Sequence, residues 1–337
     1  MGSKNASHTY MNNNNKHITK LIKNIATLVE KADYDSALSA YASVFKQFPE
    51  FLSPKIEEPL TKSRATHIHN AANLARRALY NTCHRIGSTP RIKHAVSMLC
   101  GVEKKVFQHE AQKPSFLFIP DLPSSPFSVI SEVDGLQDLV NKLSSSKEAF
   151  LSCIKYANDN YVHEIGEVPK SDDWKRLSEN WSSMHLMKGG HFTEHAKRLP
   201  HDVVSLFNSA LLAHCPTHAP EVVISVLKPN AYIPPHYGIS NIKWTLHIPL
   251  AVNDNAYLEV AGEKRMWSAG TEALLFDDSF VHSAENPADE ARAVLIIDIW
   301  NPHLTKVEKQ DIQLLMREYA NWSAQFGALS VLDKRFY

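Results

Sequence analysis

From Val222 onward the residue pattern leaves helical spacing and takes up a period of two, and this change constrains the fold more than any other feature of the chain. Val222–Leu227 is a short, β-branched apolar run. Further on, Trp244, Leu246, Ile248 and Leu250 alternate with Thr245, His247 and Pro249. Successive side chains of a strand point to opposite faces, so this alternation describes a half-buried strand with one polar face. Tyr257–Val260, Lys264–Trp267, Glu272–Phe276 and Ala293–Trp300 read as further strands. Turn signals separate them at Asn253-Asp254-Asn255, Ala261-Gly262, Ala269-Gly270 and Asp277-Asp278. Many short, closely spaced strands imply a sandwich or jelly roll.

The chain before this point reads differently. Ile18, Leu21, Ile22, Ile25, Leu28 and Val29 keep helical spacing, as do Leu38, Tyr41, Val44, Phe45 and Phe48 before Pro49. The two runs are similar to a single tetratricopeptide-like hairpin. No second copy follows, so a repeat array is not supported. Further helices are predicted over Thr66–Thr82, Arg91–Gln108, Leu136–Lys155 and Val203–His214, with a closing helix over Thr305–Tyr319. Pro114–Ser128, rich in Pro and Ser, reads as a linker or an extended lead into the next domain. The expected organisation is therefore a disordered polar leader (1–16), a helical N-terminal region (17–113) and an α+β, jelly-roll catalytic domain (114–337). The helical region is read as a bundle packing on that domain, or more sharply as a contact for a protein partner.

Composition removes several classes of function. Acidic and basic residues balance at 36 each, so no overall field favours nucleic acid or an anionic membrane. Cys83, Cys100, Cys153 and Cys215 form no Cys-x-x-Cys pair, which argues against a zinc ribbon or a dithiol redox site and suits a reduced, cytoplasmic protein. No apolar run approaches the roughly 20 residues of a membrane span, so no membrane anchor is expected.

Chemistry is sought on the polar faces of the strands. His236 follows Pro234-Pro235, His247 lies on the polar face of its strand, His282 closes a turn and Arg292 opens the last strong strand. Imidazole suits iron(II), copper or zinc, and a guanidinium grips a carboxylate with two donors. Spacing alone selects weakly, because a histidine on a strand is ordinarily a packing or surface residue and the chain carries 18 of them.

Three segments make the signal specific: "FIPDLPSSPF", "SVLKPNAYIPPHYGISNIKWTLHIPL" and "WSAGTEALLFDDSFVHSAENPADEARAVLIIDIWNP". Their ordered motifs are P-H-x-G-x-x-N, F-D-D-S-F-x-H, and an arginine ten residues later before V-L-I-x-D-x-W. Over these stretches the chain resembles the aspartyl/asparaginyl β-hydroxylase family. The resemblance implies a double-stranded β-helix and an iron(II)- and 2-oxoglutarate-dependent dioxygenase. Such an enzyme hydroxylates an unactivated carbon of a peptide, protein side chain or amino-acid-like substrate with release of succinate and CO2. It implies His236 and His282 as iron ligands. Ser225, His247 and Arg292 would hold 2-oxoglutarate, with O2 as the second cosubstrate. The position two residues after the first histidine, where related oxygenases carry a carboxylate, is Gly238. That leaves Asp278 to orient a water or a neighbouring group, while Asp277 shapes the turn. The family's arginines before the second strand histidine are here Lys243 and Thr245, which puts an aspartyl or asparaginyl protein substrate in doubt. Lys243, Thr245 and Lys188 are the candidate substrate contacts. Two competing readings are a halogenase, because the missing carboxylate leaves room for halide, and a non-catalytic jelly-roll binding module. Asn241 is read as structural, Trp267 and Trp300 as core, and His185, His191 and His195 as loop or surface residues.

Overall fold

The alternating and β-branched segments pair into two antiparallel sheets. The computed structural model describes residues 20–47, 62–157, 159–160, 179–267 and 270–330; the expected leader lies outside them. The strands are β1 (Phe127–Ser128), β2 (Asp159–Asn160), β3 (Trp181–Lys188), β4 (His191–Phe192), β5 (Val222–Leu227), β6 (Ala231–His236), β7 (Lys243–Ala251), β8 (Tyr257–Val260), β9 (Glu263–Met266), β10 (Leu274–Phe276), β11 (His282–Asn286) and β12 (Arg292–Trp300). The larger sheet runs β1-β10-β7-β12-β5-β3-β2, with β4 beside β3, and the smaller runs β6-β11-β8-β9. Between β5 and β12 the chain passes back and forth between the sheets. That is the double-stranded β-helix, or jelly roll, and the fold class is α+β.

The period of two decides what the sheets enclose. Trp244, Leu246, Ile248 and Leu250 of β7 join Leu295, Ile297 and Ile299 of β12 in one core, where the helices Leu136–Ser145 and Lys147–Cys153 contribute Leu139, Leu143 and Phe150. The opposite faces of β5 and β12 send Val223, Val294 and Ile296 into a second core with Ile233, Leu258, Val260 and Trp267 from the smaller sheet's side. Lys243, Thr245 and His247 are buried too, in alternation with the first core's residues, and so lie on the face toward the smaller sheet.

The chain divides into two compact units, residues 1–85 with 318–337, and residues 86–317. In the first, helices over 20–30, Tyr34–Gln47 and Lys62–Cys83 bury Ile25, Leu38, Tyr41, Val44, Ala71, Ala75 and Leu79. Trp322 anchors its indole N–H on the Ala75 carbonyl at 3.2 Å. The second unit begins well before the expected boundary at 113/114. The helix predicted over Arg91–Gln108 spans only Pro90–Leu99, because Gly101 takes a left-handed φ of 70° and the Val102 N–H turns back to the Ser97 carbonyl. The Pro/Ser-rich stretch is a lead-in bound to the barrel rather than a linker. Phe116 and Leu117 donate to the Ile239 carbonyl, and Asn241 clasps Ile119 through both its amide atoms at 2.7 and 2.8 Å. The helix predicted over Val203–His214 stops at Ser205 and continues as a 3-10 turn over Leu206–Asn208. Beyond it, Leu211 and Leu212 bond to β12 instead: Leu212 bridges to Ile299 and the Trp300 N–H donates to Leu211.

Candidate active site

All nine residues singled out in the sequence line one cavity of about 620 Å³ on the inner face of the barrel: Lys188, Ser225, His236, Lys243, Thr245, His247, Asp278, His282 and Arg292.

Strand pairing brings the two motif histidines together. His236 ends β6, His282 begins β11, and the two are direct partners across the smaller sheet. Their ring centroids are 4.1 Å apart. Each ring is fixed the same way: Nδ1 of His236 lies 2.9 Å from the Pro234 carbonyl, and Nδ1 of His282 lies 2.9 Å from the Phe280 carbonyl. A carbonyl can only accept, so Nδ1 carries the proton in both rings and Nε2 keeps its lone pair. Burial, and then the neighbouring His282, push His236 down to about 3; burial pushes His282 down as well. Both rings are therefore neutral near pH 7. A pair of neutral imidazoles, each oriented by a backbone carbonyl, suits a divalent transition metal, and those carbonyls supply the outer support such ligands ordinarily have. Among the described residues no group of three or more His, Cys, Asp or Glu side chains could hold a metal ion, so the pair stands without a third protein ligand.

Arg292 begins β12 and is 1% exposed, yet its Nε and Nη1 have no hydrogen-bond partner. Its guanidinium lies 4.4 Å above the Trp267 ring, and burial lowers its pKa to about 9. His247 stacks on the same indole at 5.8 Å, with Nδ1 buried and unpartnered, and the Thr245 hydroxyl is likewise buried without a partner. Ser225 accepts the Trp181 indole N–H at 2.9 Å and keeps its own proton to donate. A buried cation with two idle donors, beside further unused polar atoms, fits a carboxylate-bearing ligand and is costly without one. Trp267 is thus core, as read from the sequence, and also the platform under two site residues.

Asp278 occupies the space that Gly238 leaves. A Cβ added at 238 would meet the Asp278 carboxylate at 2.6–2.7 Å, and the Gly238 N–H donates to the Asp278 carbonyl at 2.7 Å. One Asp278 oxygen accepts from Lys243 at 2.9 Å, and the other is buried with no partner. Asp277 points away: Gln112 donates to it at 3.2 Å and Ser279 bonds to it by both backbone and hydroxyl, while burial raises it to about 7. Lys243 is 6% exposed and bonds Asp298 at 2.7 Å as well as Asp278. Lys188 is exposed at the end of β3 on the cavity's edge.

Sequence reasoning missed four histidine and carboxylate residues of the lining. His185 is a correction: expected on a loop or the surface, it lies in β3, 3% exposed, with Nε2 3.5 Å from Glu221. His218 bonds the Ser240 hydroxyl at 3.0 Å, and burial lowers it to about 4. Glu221 and Asp298 complete this side, the Glu221 N–H donating to Asp298 at 2.9 Å. Asp298 was legible: Arg292, Val294, Ile296 and Asp298 share one face of β12 at a spacing of two.

Comparison with known proteins bears on this part of the chain. Residues 151–302 match the model of the aspartyl/asparaginyl beta-hydroxylase family. Over these residues the chain resembles that family. It is 29% identical to the aspartate beta-hydroxylase domain-containing protein 2 of Xenopus tropicalis over 207 residues, 59% of this chain and 53% of the relative. It is 28% identical to the protein of that name from Homo sapiens, over 60% of this chain and 55% of the relative. The chain thus spans about half the length of these relatives. The aspartyl/asparaginyl beta-hydroxylase of Mus musculus matches at 28% over 42% of this chain and 19% of its own length. Solved structures with local similarity include a cupin 2 conserved barrel domain protein from Salinispora arenicola (TM-score 0.24, 19% identity, 43% of this chain, 94% of that one). Another is the 2OG complex of a viral collagen prolyl hydroxylase (TM-score 0.25, 17% identity, 37% and 82%). Among the described residues no helix is long and apolar enough to cross a membrane.

Proposed function

We propose that this protein is an iron(II)- and 2-oxoglutarate-dependent dioxygenase of the family it resembles, one that hydroxylates an unactivated carbon of a peptide, protein side chain or amino-acid-like substrate. In that reaction 2-oxoglutarate, O2 and R–H give succinate, CO2 and R–OH. The observation that carries the reading is the cross-strand pair His236 and His282, each with Nδ1 engaged by a backbone carbonyl, in one cavity with the idle donors of Arg292. His236 and His282 would hold the metal through Nε2. Arg292 would clamp the far carboxylate of 2-oxoglutarate with Nε and Nη1, with Ser225 donating its hydroxyl proton. His247, stacked on Trp267, would close the cradle with its remaining ring nitrogen. Iron(II), when bound together with 2-oxoglutarate, supplies the activation of dioxygen that C–H hydroxylation needs.

The residues around the metal exclude water and set charge. Asp278 fills the volume beside Gly238 with a carboxylate, which would repel a halide, and this favours hydroxylation over halogenation. Trp181, Ile233, Leu258, Phe276 and Ile296 form the apolar part of the lining. The test is direct. Purified protein is given iron(II), 2-oxoglutarate and O2 with a peptide extract, and succinate is measured with product mass. Succinate dependent on iron and extract, with a gain of one oxygen, supports the reading; a protein that binds neither iron(II) nor 2-oxoglutarate under anaerobic conditions overturns it.

A further inference from the structure

The Lys243 ammonium lies between two carboxylates, 2.9 Å from the part-buried Asp278 and 2.7 Å from the buried Asp298. The three side chains are 7%, 14% and 3% exposed. Asp298 is held in turn by the Glu221 N–H, and β7 and β12 are neighbours in register, with Thr245 opposite Asp298. Burial works to strip the lysine of its proton; the two carboxylates outweigh it and hold its pKa above the ordinary value. Asp278 has no comparable support on its other side: one oxygen is bonded to Lys243 and the second is idle. The carboxylate rests where a side chain at 238 would have to be.

We propose that Lys243 is a positioning residue, anchored by Asp298, that holds the Asp278 carboxylate in the space above Gly238 with one oxygen turned toward the two histidines' cavity. The assignment rests on the oxygenase reading for its consequence at the metal. Lys243 was read from the sequence as a substrate contact; on this view its charge is already spent. The substrate then meets no free cation at this point of the wall, and a carboxylate there would face Asp278 and Asp298. Removal of the lysine frees Asp278 to rotate, so the support it would give at the metal is lost. Loss of an outer-shell partner of this kind weakens metal binding by about 10- to 100-fold.

The experiment is an anaerobic iron(II) titration of the full chain, read by equilibrium dialysis and checked for folding by circular dichroism. Lys243→Met and Asp278→Asn are each expected to weaken iron(II) binding by roughly tenfold or more. The double variant should be no weaker than either single one, because both remove the same link. Lys243→Arg should restore affinity by keeping charge and donors. If Lys243→Met does not fold with Asp298 left unpaired, Lys243→Met/Asp298→Asn removes both charges and serves in its place. Unchanged iron(II) affinity in a folded lysine variant, or additive losses in the double variant, overturns the proposal and leaves the oxygenase reading intact. Wild-type protein that binds no iron(II) overturns both.

Discussion

Arg292 shows how a site residue can be bad for the fold that carries it. Its guanidinium is buried with two N–H groups unpartnered, and the Trp267 face offsets part of the loss of water. Arg292→Met keeps much of the volume and removes the stranded charge. It is expected to raise the melting temperature of the ligand-free protein by a few degrees, since about 1 kcal/mol moves a domain of this size by roughly 2–4 °C. The same variant should lose about 1.5–3 kcal/mol of 2-oxoglutarate binding, roughly 10- to 150-fold, by anaerobic calorimetry. Arg292→Lys should recover little of it, because an ammonium cannot present two parallel donors. Equal 2-oxoglutarate affinity in Arg292→Met and wild type would remove the residue from the cradle. Gly238 sets the opposite constraint. Gly238→Ala puts a methyl 2.6 Å from the Asp278 carboxylate, so the carboxylate must move. Overpacking of this kind costs about 1–3 kcal/mol. A melting temperature matching wild type would mean that the turn yields without cost.

At the scale of elements, legibility followed exposure. β7 was readable because one face meets the core and the other meets the cavity, and its polar residues alternate with its apolar ones. β3 was missed because Trp181–Lys188 is buried on both faces over most of its length, which erases the alternation and hid His185. β6 was only partly visible, since Pro234 and Pro235 cannot donate to a sheet. His236 at its end was found from the motif around it, not from strand pattern. The start of the helix Lys306–Ser330 carries a signature of the capping-box kind: Thr305 accepts the Glu308 N–H at 3.3 Å, and Glu308 accepts the Thr305 N–H at 2.9 Å. The same carboxylate takes Nε and Nη2 of Arg91 at 2.6 and 2.5 Å and the Thr89 hydroxyl at 2.9 Å. Glu308→Ala leaves Arg91 and Thr89 without their partner and is expected to cost about 3 kcal/mol, the low end for a broken buried pair because Arg91 keeps some water contact. The hydrogen bonds from Arg91 hold Glu308 down to about 2 from an ordinary 4.5. A depressed carboxylate stabilises the fold fully above its unfolded value, so this contribution fades only as pH falls from about 4.5 to 2. Denaturant midpoints over that window should fall less steeply in Glu308→Gln than in wild type.

The whole molecule should respond to acid earlier than that, and for a different reason. His218 is lowered to about 4, His236 to about 3, and His247 and His282 are lowered too, chiefly by burial, against an ordinary 6.5. As pH falls below 6.5 the unfolded chain takes up protons at these rings while the folded chain refuses them. The contribution of these rings is therefore complete above about 6.5 and declines below it, by about 1.4 kcal/mol per pH unit for each ring that lags. His236, His247 and His282 share one cavity because the jelly roll turns the polar faces of β6, β7 and β11 toward one another, and His218 joins them from the stretch before β5, so the architecture that assembles the site also makes it acid-labile. His218 can be removed without touching the histidine pair: it bonds Ser240, and burial is the largest cause of its shift, ahead of the charges of Lys243 and Asp278. His218→Asn should flatten the fall of the ligand-free melting temperature between pH 6.5 and 4.5 by about one proton's worth of slope, while the Glu308 window below pH 4.5 stays as it was. A bound divalent metal should steepen the upper window, because protons then compete for nitrogens that the metal holds. Parallel curves for wild type and His218→Asn from pH 7 to 4 would show that this ring is open to water and that burial does not govern the site's acid response.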